Sequence, residues 1–109
     1  MTFEEYQRQS RKTANYPSIG QIYVYPTLGL TGESGEVAEK VKKIFRDDGG
    51  VLTPERREEI KKELGDVLWY VAQLCTDMNL SMDEVAWFNL QKLFSRQERK
   101  QIFGDGDNR

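Results

Sequence analysis

The chain contains no histidine, and Cys75 is its single cysteine. These absences exclude Ser-His and Cys-His catalytic groups, as well as the usual zinc sites built from histidine and cysteine. The sequence also lacks a signal peptide and any apolar run long enough to span a membrane. We therefore expect a protein of the reducing cytoplasm with no membrane partner. Any chemistry must come from carboxylates, lysine, arginine, tyrosine or a bound metal ion.

Length and charge narrow the class of protein further. The 109 residues suffice for one domain and not two, so we expect a single domain over 1–109. A hydrophobic content of 38% and a charged content of 31% are typical of a globular chain with a modest core. The net charge of −2 gives no general attraction to nucleic acid, and none is expected as a partner.

Helix start and stop signals predict an all-α fold. Thr2 suits an N-cap, Thr53 followed by Pro54 is a typical helix start, and Ser81 with Glu84 forms a capping box. The predicted helices run over about 2–14, 27–46, 54–78 and 82–103. A loop is predicted at 15–26, so that the first helix and this loop form an N-terminal unit of 1–26. A Gly-rich polar tail follows at 104–109.

Two acidic pairs stand out against the helical pattern: Glu33 with Glu36, and Glu63 with Asp66. Each pair is spaced i, i+3, which puts both carboxylates on one face of a helix. Glu33 and Glu63 fall inside the apolar stripes of their helices, and Glu36 and Asp66 flank those stripes on the same side. The two stripes comprise Leu30, Val37, Val41 and Ile44 on the second helix, and Ile60, Leu64, Val67, Val71, Leu74 and Met78 on the third.

Four carboxylates in such positions indicate a metal site. Burying unpaired carboxylates side by side is costly, and a bound divalent cation removes that cost. Oxygen ligands without histidine favour a hard cation, and a site of this kind usually handles phosphates. The alternative is that these side chains stay partly exposed or pair with Lys40, Lys43 or Lys62.

The fourth helix carries the opposite charge. Asn89 sits within an apolar face formed with Val85, Ala86 and Leu93, and Lys92 and Arg96 lie along the edge of that face. An asparagine and two cations at this spacing suit a triphosphate and a polar sugar or base edge. A basic helix edge that pairs with neighbouring acids is the alternative.

Aromatic side chains lie off the predicted core faces of two helices. They are Trp69 on the third helix and Trp87, Phe88 and Phe94 on the fourth. A helix that is apolar on more than one face is buried on more than one side, so we expect an oligomer. Coverage of the third helix by the first helix and the loop at 15–26 is the alternative.

The acidic motifs resemble those of the MazG-like nucleoside triphosphate pyrophosphohydrolases, an all-α superfamily. The sequence reads G-E-S-G-E at 32–36 and, after 26 intervening residues, E-L-G-D at 63–66. The segment at 89–96 matches the N-x-x-K-L-x-x-R segment of the family, and 104–109 is similar to the G-x-G-D-x-R end of its small bacterial and phage members. Gly32 stands where the family often has a first glutamate, which puts any role of that glutamate in doubt here.

The resemblance implies a four-helix MazG-like bundle assembled into a homodimer or homotetramer. It implies hydrolysis of a nucleoside or deoxynucleoside triphosphate between the α and β phosphates, in the house-cleaning of nucleotide pools. Mg²⁺ is the implied cofactor, with Mn²⁺ as a substitute. The implied metal ligands are Glu33, Glu36, Glu63 and Asp66, with Glu36 and Glu63 as the catalytic carboxylates, and the implied substrate-binding residues are Lys43, Asn89, Lys92 and Arg96.

Two other functions remain open at this point. One is a hydrolase of the same superfamily that prefers dUTP or dCTP and also accepts diphosphates. The other is a catalytically idle helical module that binds a nucleotide or a partner protein. Nothing in the loop at 15–26 specifies a base, although Tyr16, Tyr23 and Tyr25 could stack on one.

Overall fold

A computed structural model of the protein describes residues 1–99 and 106, and the regular structure within them is four α-helices and no strand. The helices are α1 (Phe3–Arg11), α2 (Val24–Asp47), α3 (Pro54–Asp77) and α4 (Met82–Glu98). The predicted all-α class is therefore confirmed. Among the described residues, no helix is long and apolar enough to cross a bilayer.

Three of the four helix starts use the capping residues predicted from the sequence. The hydroxyl of Thr2 accepts a hydrogen bond from the Glu5 amide at 3.0 Å. The hydroxyls of Thr53 and Ser81 accept in the same way from the amides three residues on, at 3.1 Å and 3.3 Å. Each bond satisfies an amide that has no partner within its own helix.

The remaining boundaries differ from the prediction. Helix α2 begins at Val24 rather than at 27, because Pro26 fits in a first helical turn, where its missing amide hydrogen is not needed. The residue at the N-cap, Tyr23, makes no side-chain capping bond, so the sequence carries no start signal there. Helix α1 ends at Arg11 and α4 at Glu98, with Arg99 as the C-cap of α4. Positions 100–103 of the predicted fourth helix, and the tail except Gly106, lie outside the described residues.

Helix α3 is the centre of the fold. Helix α2 packs along one side of it, α1 along another, and α4 contacts α1 and α3 but not α2. Among the described residues, the main buried cluster is small: it contains Ala72, Cys75 and Met82, with Tyr6, Leu68 and Val71 packed against it. Polar contacts therefore carry much of the attachment of α1.

Gln7 joins α1 to the turn between α3 and α4. Its Nε2 donates hydrogen bonds to the Thr76 hydroxyl at 3.1 Å and to the Leu80 carbonyl at 2.9 Å. Its Oε1 accepts a hydrogen bond from the Met82 amide at 2.8 Å, which helps to cap α4. One side chain thus holds three elements together.

A second polar contact joins the end of α1 to the end of α3. The carboxylate of Asp77 is almost wholly buried, pairs with Arg11 at 2.9 Å and accepts a hydrogen bond from the Tyr16 hydroxyl at 2.6 Å. The buried Gln73 side chain donates to the Ser10 hydroxyl at 3.0 Å. These bonds fix the segment that follows α1 against α3.

The faces of α3 are used differently from the prediction. Leu64 and Met78, predicted in the core stripe, are 53% and 46% exposed. Trp69, predicted to face a partner subunit, is partly covered within the chain: its Nε1 donates to the Thr13 hydroxyl at 2.8 Å, and its ring meets Tyr16 edge-on. Helical phase gives the angle between faces but does not say which neighbour covers each one. These two contacts favour the alternative, in which the segment that follows α1 covers α3 at Trp69.

Helix α4 leaves a large apolar surface open. Trp87, Phe88, Leu90 and Phe94 are each about half exposed or more. The accessible surface of the chain is 7992 Å², whereas a folded monomer of this mass exposes roughly 6200 Å². The chain therefore exposes more surface in total than a compact monomer of its mass, and the four large apolar side chains of α4 are part of that exposed surface.

We expect Gln7→Ala to destabilise the fold, because the Leu80 carbonyl and the Met82 amide lose their partner. The loss in the free energy of unfolding should be about 1–3 kcal/mol, measured by urea denaturation. Gln9→Ala, an exposed change on the same helix, is the matched control. Equal losses for the two variants would show that the Gln7 bonds do not hold α1 in place.

Candidate metal centre

Three carboxylates meet where α2 packs against α3. Glu33 comes from α2, and Glu63 and Asp66 come from successive turns of α3. One oxygen from each lies within 4.8 Å of one oxygen from each of the others. The helical phase had predicted that the acidic pairs of the two helices face one point, and the structure brings three of the four carboxylates to it.

The carboxylates repel one another. Burial raises the pKa of Glu33 most, followed by the charge of Asp66, a hydrogen bond with Glu63, the charge of Glu63 and the charge of Glu36. A hydrogen bond between two carboxyl groups requires a shared proton, so Glu33 resists ionisation when no cation balances the charges around it. A set of convergent carboxylate oxygens with no nitrogen or sulfur fits a hard divalent cation.

Glu36 lies outside this close group. Its side chain is exposed on α2, one turn beyond Glu33, and its charge is the weakest of the causes that act on Glu33. The predicted set of four ligands therefore divides into three carboxylates that converge and one at the margin.

Two residues that the sequence did not single out border the group. The ring of Tyr70 lies against Gly29, so close that a Cβ at position 29 would overlap the ring. Burial raises the pKa of Tyr70, and the charges of Tyr25, Glu33 and Asp66 raise it further. Their spacing in the sequence could have identified them, because Gly29 lies one helical turn from Glu33 and Tyr70 lies one turn from Asp66, each on the same helix face.

Comparison with known proteins identifies the family. The family model for the MazG nucleotide pyrophosphohydrolase domain matches residues 26–100, which is more than half of the chain. The chain belongs to this family. The Gene 37 protein of Mycobacterium phage L5 is 47% identical to it over 114 aligned positions, which cover the whole of both proteins. No solved structure matches the chain.

The match to the MazG family covers α2 from Pro26 onwards, α3 and α4, and therefore includes all four acidic residues. Helix α1 and the segment that follows it lie before the matched residues. The resemblance inferred from the acidic motifs is thus confirmed, whereas the roles of the individual residues stay predictions.

Asn89 and Lys92 of the MazG domain lie elsewhere in the chain. They line an open groove of about 460 Å³ on α4 and the turn before it, together with Leu80 and Phe88. Asn89 lies beside Val85 in this groove, in agreement with its predicted place on the apolar face of α4, and both side chains are exposed. Because α4 does not touch α2, this groove stands apart from Glu33 within one chain.

The other two predicted phosphate-binding cations have local neighbours. Arg96 is only 3% exposed rather than lying on an open edge, and its Nη2 donates to the Gly106 carbonyl at 3.4 Å. Lys43 is half-buried on α2, where its charge acts on Glu39 and Asp47. Neither cation is among the charges that act on Glu33, which are those of Asp66, Glu63 and Glu36.

The raised pKa of Glu33 predicts how the metal-free protein responds to pH. Its folded-state pKa lies above the ordinary value of 4.5, so the ionised group destabilises the fold above that raised pKa. The destabilisation disappears as the pH falls towards 4.5. Without divalent cations at pH 7.5, Glu33→Gln should therefore melt a few degrees above the unsubstituted protein, and the gap should close near pH 4.5.

The measurement is a series of thermal melts at different pH values, in buffer that contains a chelator. Glu39→Gln is the control variant. The pKa of Glu39 is lowered by its hydrogen bond with Lys42 and by the charge of Lys42, which is the opposite direction to the shift of Glu33. The Glu39→Gln variant should therefore not melt above the unsubstituted protein. A Glu33→Gln variant that melts below the unsubstituted protein at pH 7.5 would contradict the repulsion described here.

Proposed function

We propose that the chain is a Mg²⁺-dependent pyrophosphohydrolase of nucleoside or deoxynucleoside triphosphates, which cuts between the α and β phosphates. The products are the nucleoside monophosphate and pyrophosphate. The observation that carries the proposal is the convergence of three carboxylate oxygens within 4.8 Å in a chain of the MazG family. The role we propose is the house-cleaning of nucleotides in the cytoplasm, with no nucleic acid or membrane as a partner.

The carboxylates divide the work in this proposal. Glu33, Glu63 and Asp66 hold the cation, with Glu36 as a fourth ligand at the margin. When bound, Mg²⁺ (or Mn²⁺ in its place) neutralises phosphate charge and polarises the phosphoryl group. Glu36 and Glu63 are the candidates for the general base that takes a proton from the attacking water. The exposure of Glu36 leaves its carboxylate accessible to that water.

The phosphate-binding residues enter from a second copy of the chain in our proposal. Asn89, Lys92 and Arg96 lie on α4, which does not touch α2 in the same chain, and Lys43 on α2 adds a fourth polar group. The open apolar surface of α4 favours burial against another copy. The surplus, about 1800 Å² for one chain, exceeds the roughly 800 Å² that each partner buries in a standard protein interface. A homodimer or a homotetramer meets these conditions.

The direct test is an assay of purified protein with Mg²⁺ and a panel of nucleoside triphosphates and diphosphates. We expect release of pyrophosphate, not orthophosphate, from at least one triphosphate, and none when Mg²⁺ is chelated. Glu63→Gln should reduce kcat by about 100-fold or more, because the change removes one charged ligand and a candidate base.

The control for that assay is Glu58→Gln, an exposed change on the same helix that should leave the rate within twofold. A rate on diphosphates equal to that on triphosphates would favour the dUTP or dCTP type of hydrolase. Absence of any pyrophosphate release from the assembled protein across the whole panel would contradict the proposal.

The assembly is tested by light scattering on a sizing column. We expect a mass that is a multiple of 12.7 kDa for the unsubstituted protein. Phe88→Ser should shift the mass towards a single chain while the helical circular dichroism signal is retained, because Phe88 is 58% exposed within one chain. Ile19→Ser, at similar exposure before α2, is the control. A monomeric unsubstituted protein would contradict the shared site.

A further inference from the structure

One contact between α2 and α3 leaves no room for a side chain. An ideal Cβ built at Gly29 would lie inside van der Waals distance of three ring atoms of Tyr70, with Cδ1 at 2.7 Å. The other two glycines of α2, Gly32 and Gly35, would meet nothing within 4 Å. Gly29 therefore differs from its neighbours in having a Tyr70 ring in the place of its missing side chain.

The contact lies next to the carboxylate group on both helices. Gly29 precedes Glu33 by four residues, and Tyr70 follows Asp66 by four, so each lies about one helical turn, or about 6 Å, from a carboxylate on the same face. A helix is stiff over one turn. A change in helix separation at Gly29 and Tyr70 is therefore passed on to Glu33, Glu63 and Asp66.

The Tyr70 ring is itself held in place. It meets Trp69 edge-on, with ring centroids 5.0 Å apart. Trp69 is fixed by its hydrogen bond to Thr13 and by its contact with Tyr16. Because these neighbours confine the ring, an added methyl at Gly29 must move α2 relative to α3 or disrupt the aromatic cluster.

We infer that Tyr70, seated on Gly29, is a positioning residue that fixes the separation of Glu33 from Glu63 and Asp66. The inference rests on the proposed function only in taking a divalent cation as the ligand of these carboxylates. Mg²⁺ binds oxygens at about 2.1 Å, so two ligand oxygens can lie at most about 4.2 Å apart. The group is within 4.8 Å without a cation, so it needs little adjustment and tolerates little extra separation.

The test is a double-mutant cycle of Gly29→Ala and Tyr70→Ala, with Gly35→Ala as the control on the same helix. By helix propensity alone, both alanine substitutions on α2 should stabilise the helix. If Tyr70 sets the spacing, Gly29→Ala should weaken Mg²⁺ binding by about tenfold or more in calorimetric titrations, and Gly35→Ala should change it less than twofold. In the Tyr70→Ala background, Gly29→Ala should also change it less than twofold.

Tyr70→Phe separates the ring from its hydroxyl. The steric account predicts that Tyr70→Phe binds Mg²⁺ within about threefold of the unsubstituted protein. Equal losses from Gly29→Ala with and without the Tyr70 ring would overturn the inference. A loss in Tyr70→Phe as large as that in Gly29→Ala would overturn it as well, since the hydroxyl would then be the acting group.

A measurement without metal keeps this inference distinct from the proposed function. In the metal-free protein, nuclear magnetic resonance should show contacts between the Gly29 Hα protons and the Tyr70 ring. Gly29→Ala should shift the amide signals around both Glu33 and Asp66, whereas Gly35→Ala should not reach Asp66. If these shifts appear but no Mg²⁺ binds, the spacing role stands and the proposed function fails. If they are absent, the spacing role fails whatever the protein binds.

Discussion

The packing of α2 against α3 is the constraint on which the rest of the structure depends. It places Glu33 opposite Glu63 and Asp66, so three negative charges from two helices share one small volume. That arrangement raises the pKa of Glu33 and opposes folding unless a proton or a cation reduces the repulsion. The repulsion between these carboxylates lowers the stability of the fold at the contact between α2 and α3. Proteins are only marginally stable, and destabilising arrangements of this kind cluster at functional sites.

The remainder of the fold supports this pair unevenly. Helix α1 is tied to α3 by Gln7, by the ion pair of Arg11 with Asp77 and by the hydrogen bond from Trp69 to Thr13. Helix α4, by contrast, buries little beyond Met82 and Arg96 and exposes its aromatic side chains. The half of the chain that contains the carboxylate group is thus held by several polar contacts, whereas α4 keeps an exposed apolar face. We propose that another copy of the chain covers this face.

The sequence predicted features that depend on nearby residues or on helical phase, and it missed features that depend on which distant segment covers a residue. Thr2, Thr53 and Ser81 were identified as caps because each bonds an amide three residues away. The convergence of Glu33, Glu63 and Asp66 followed from their phase relative to the apolar stripes, although the same phase wrongly included Glu36. The start of α2 was missed because Tyr23 makes no capping bond. The cover over Trp69 was missed because phase alone does not name the neighbour. The burial of Arg96 beside the Gly106 carbonyl, like the contact of Tyr70 with Gly29, required the tertiary structure.

The central claim is that Glu33, Glu63 and Asp66 hold a divalent cation. The most direct measurement is anomalous X-ray diffraction from crystals of the protein soaked in Mn²⁺. The account predicts an anomalous peak about 2.2 Å from carboxylate oxygens of all three residues, a distance typical of a small divalent cation with oxygen ligands. Mn²⁺ bound elsewhere, with no peak between these three carboxylates in well-ordered crystals at neutral pH, would contradict it.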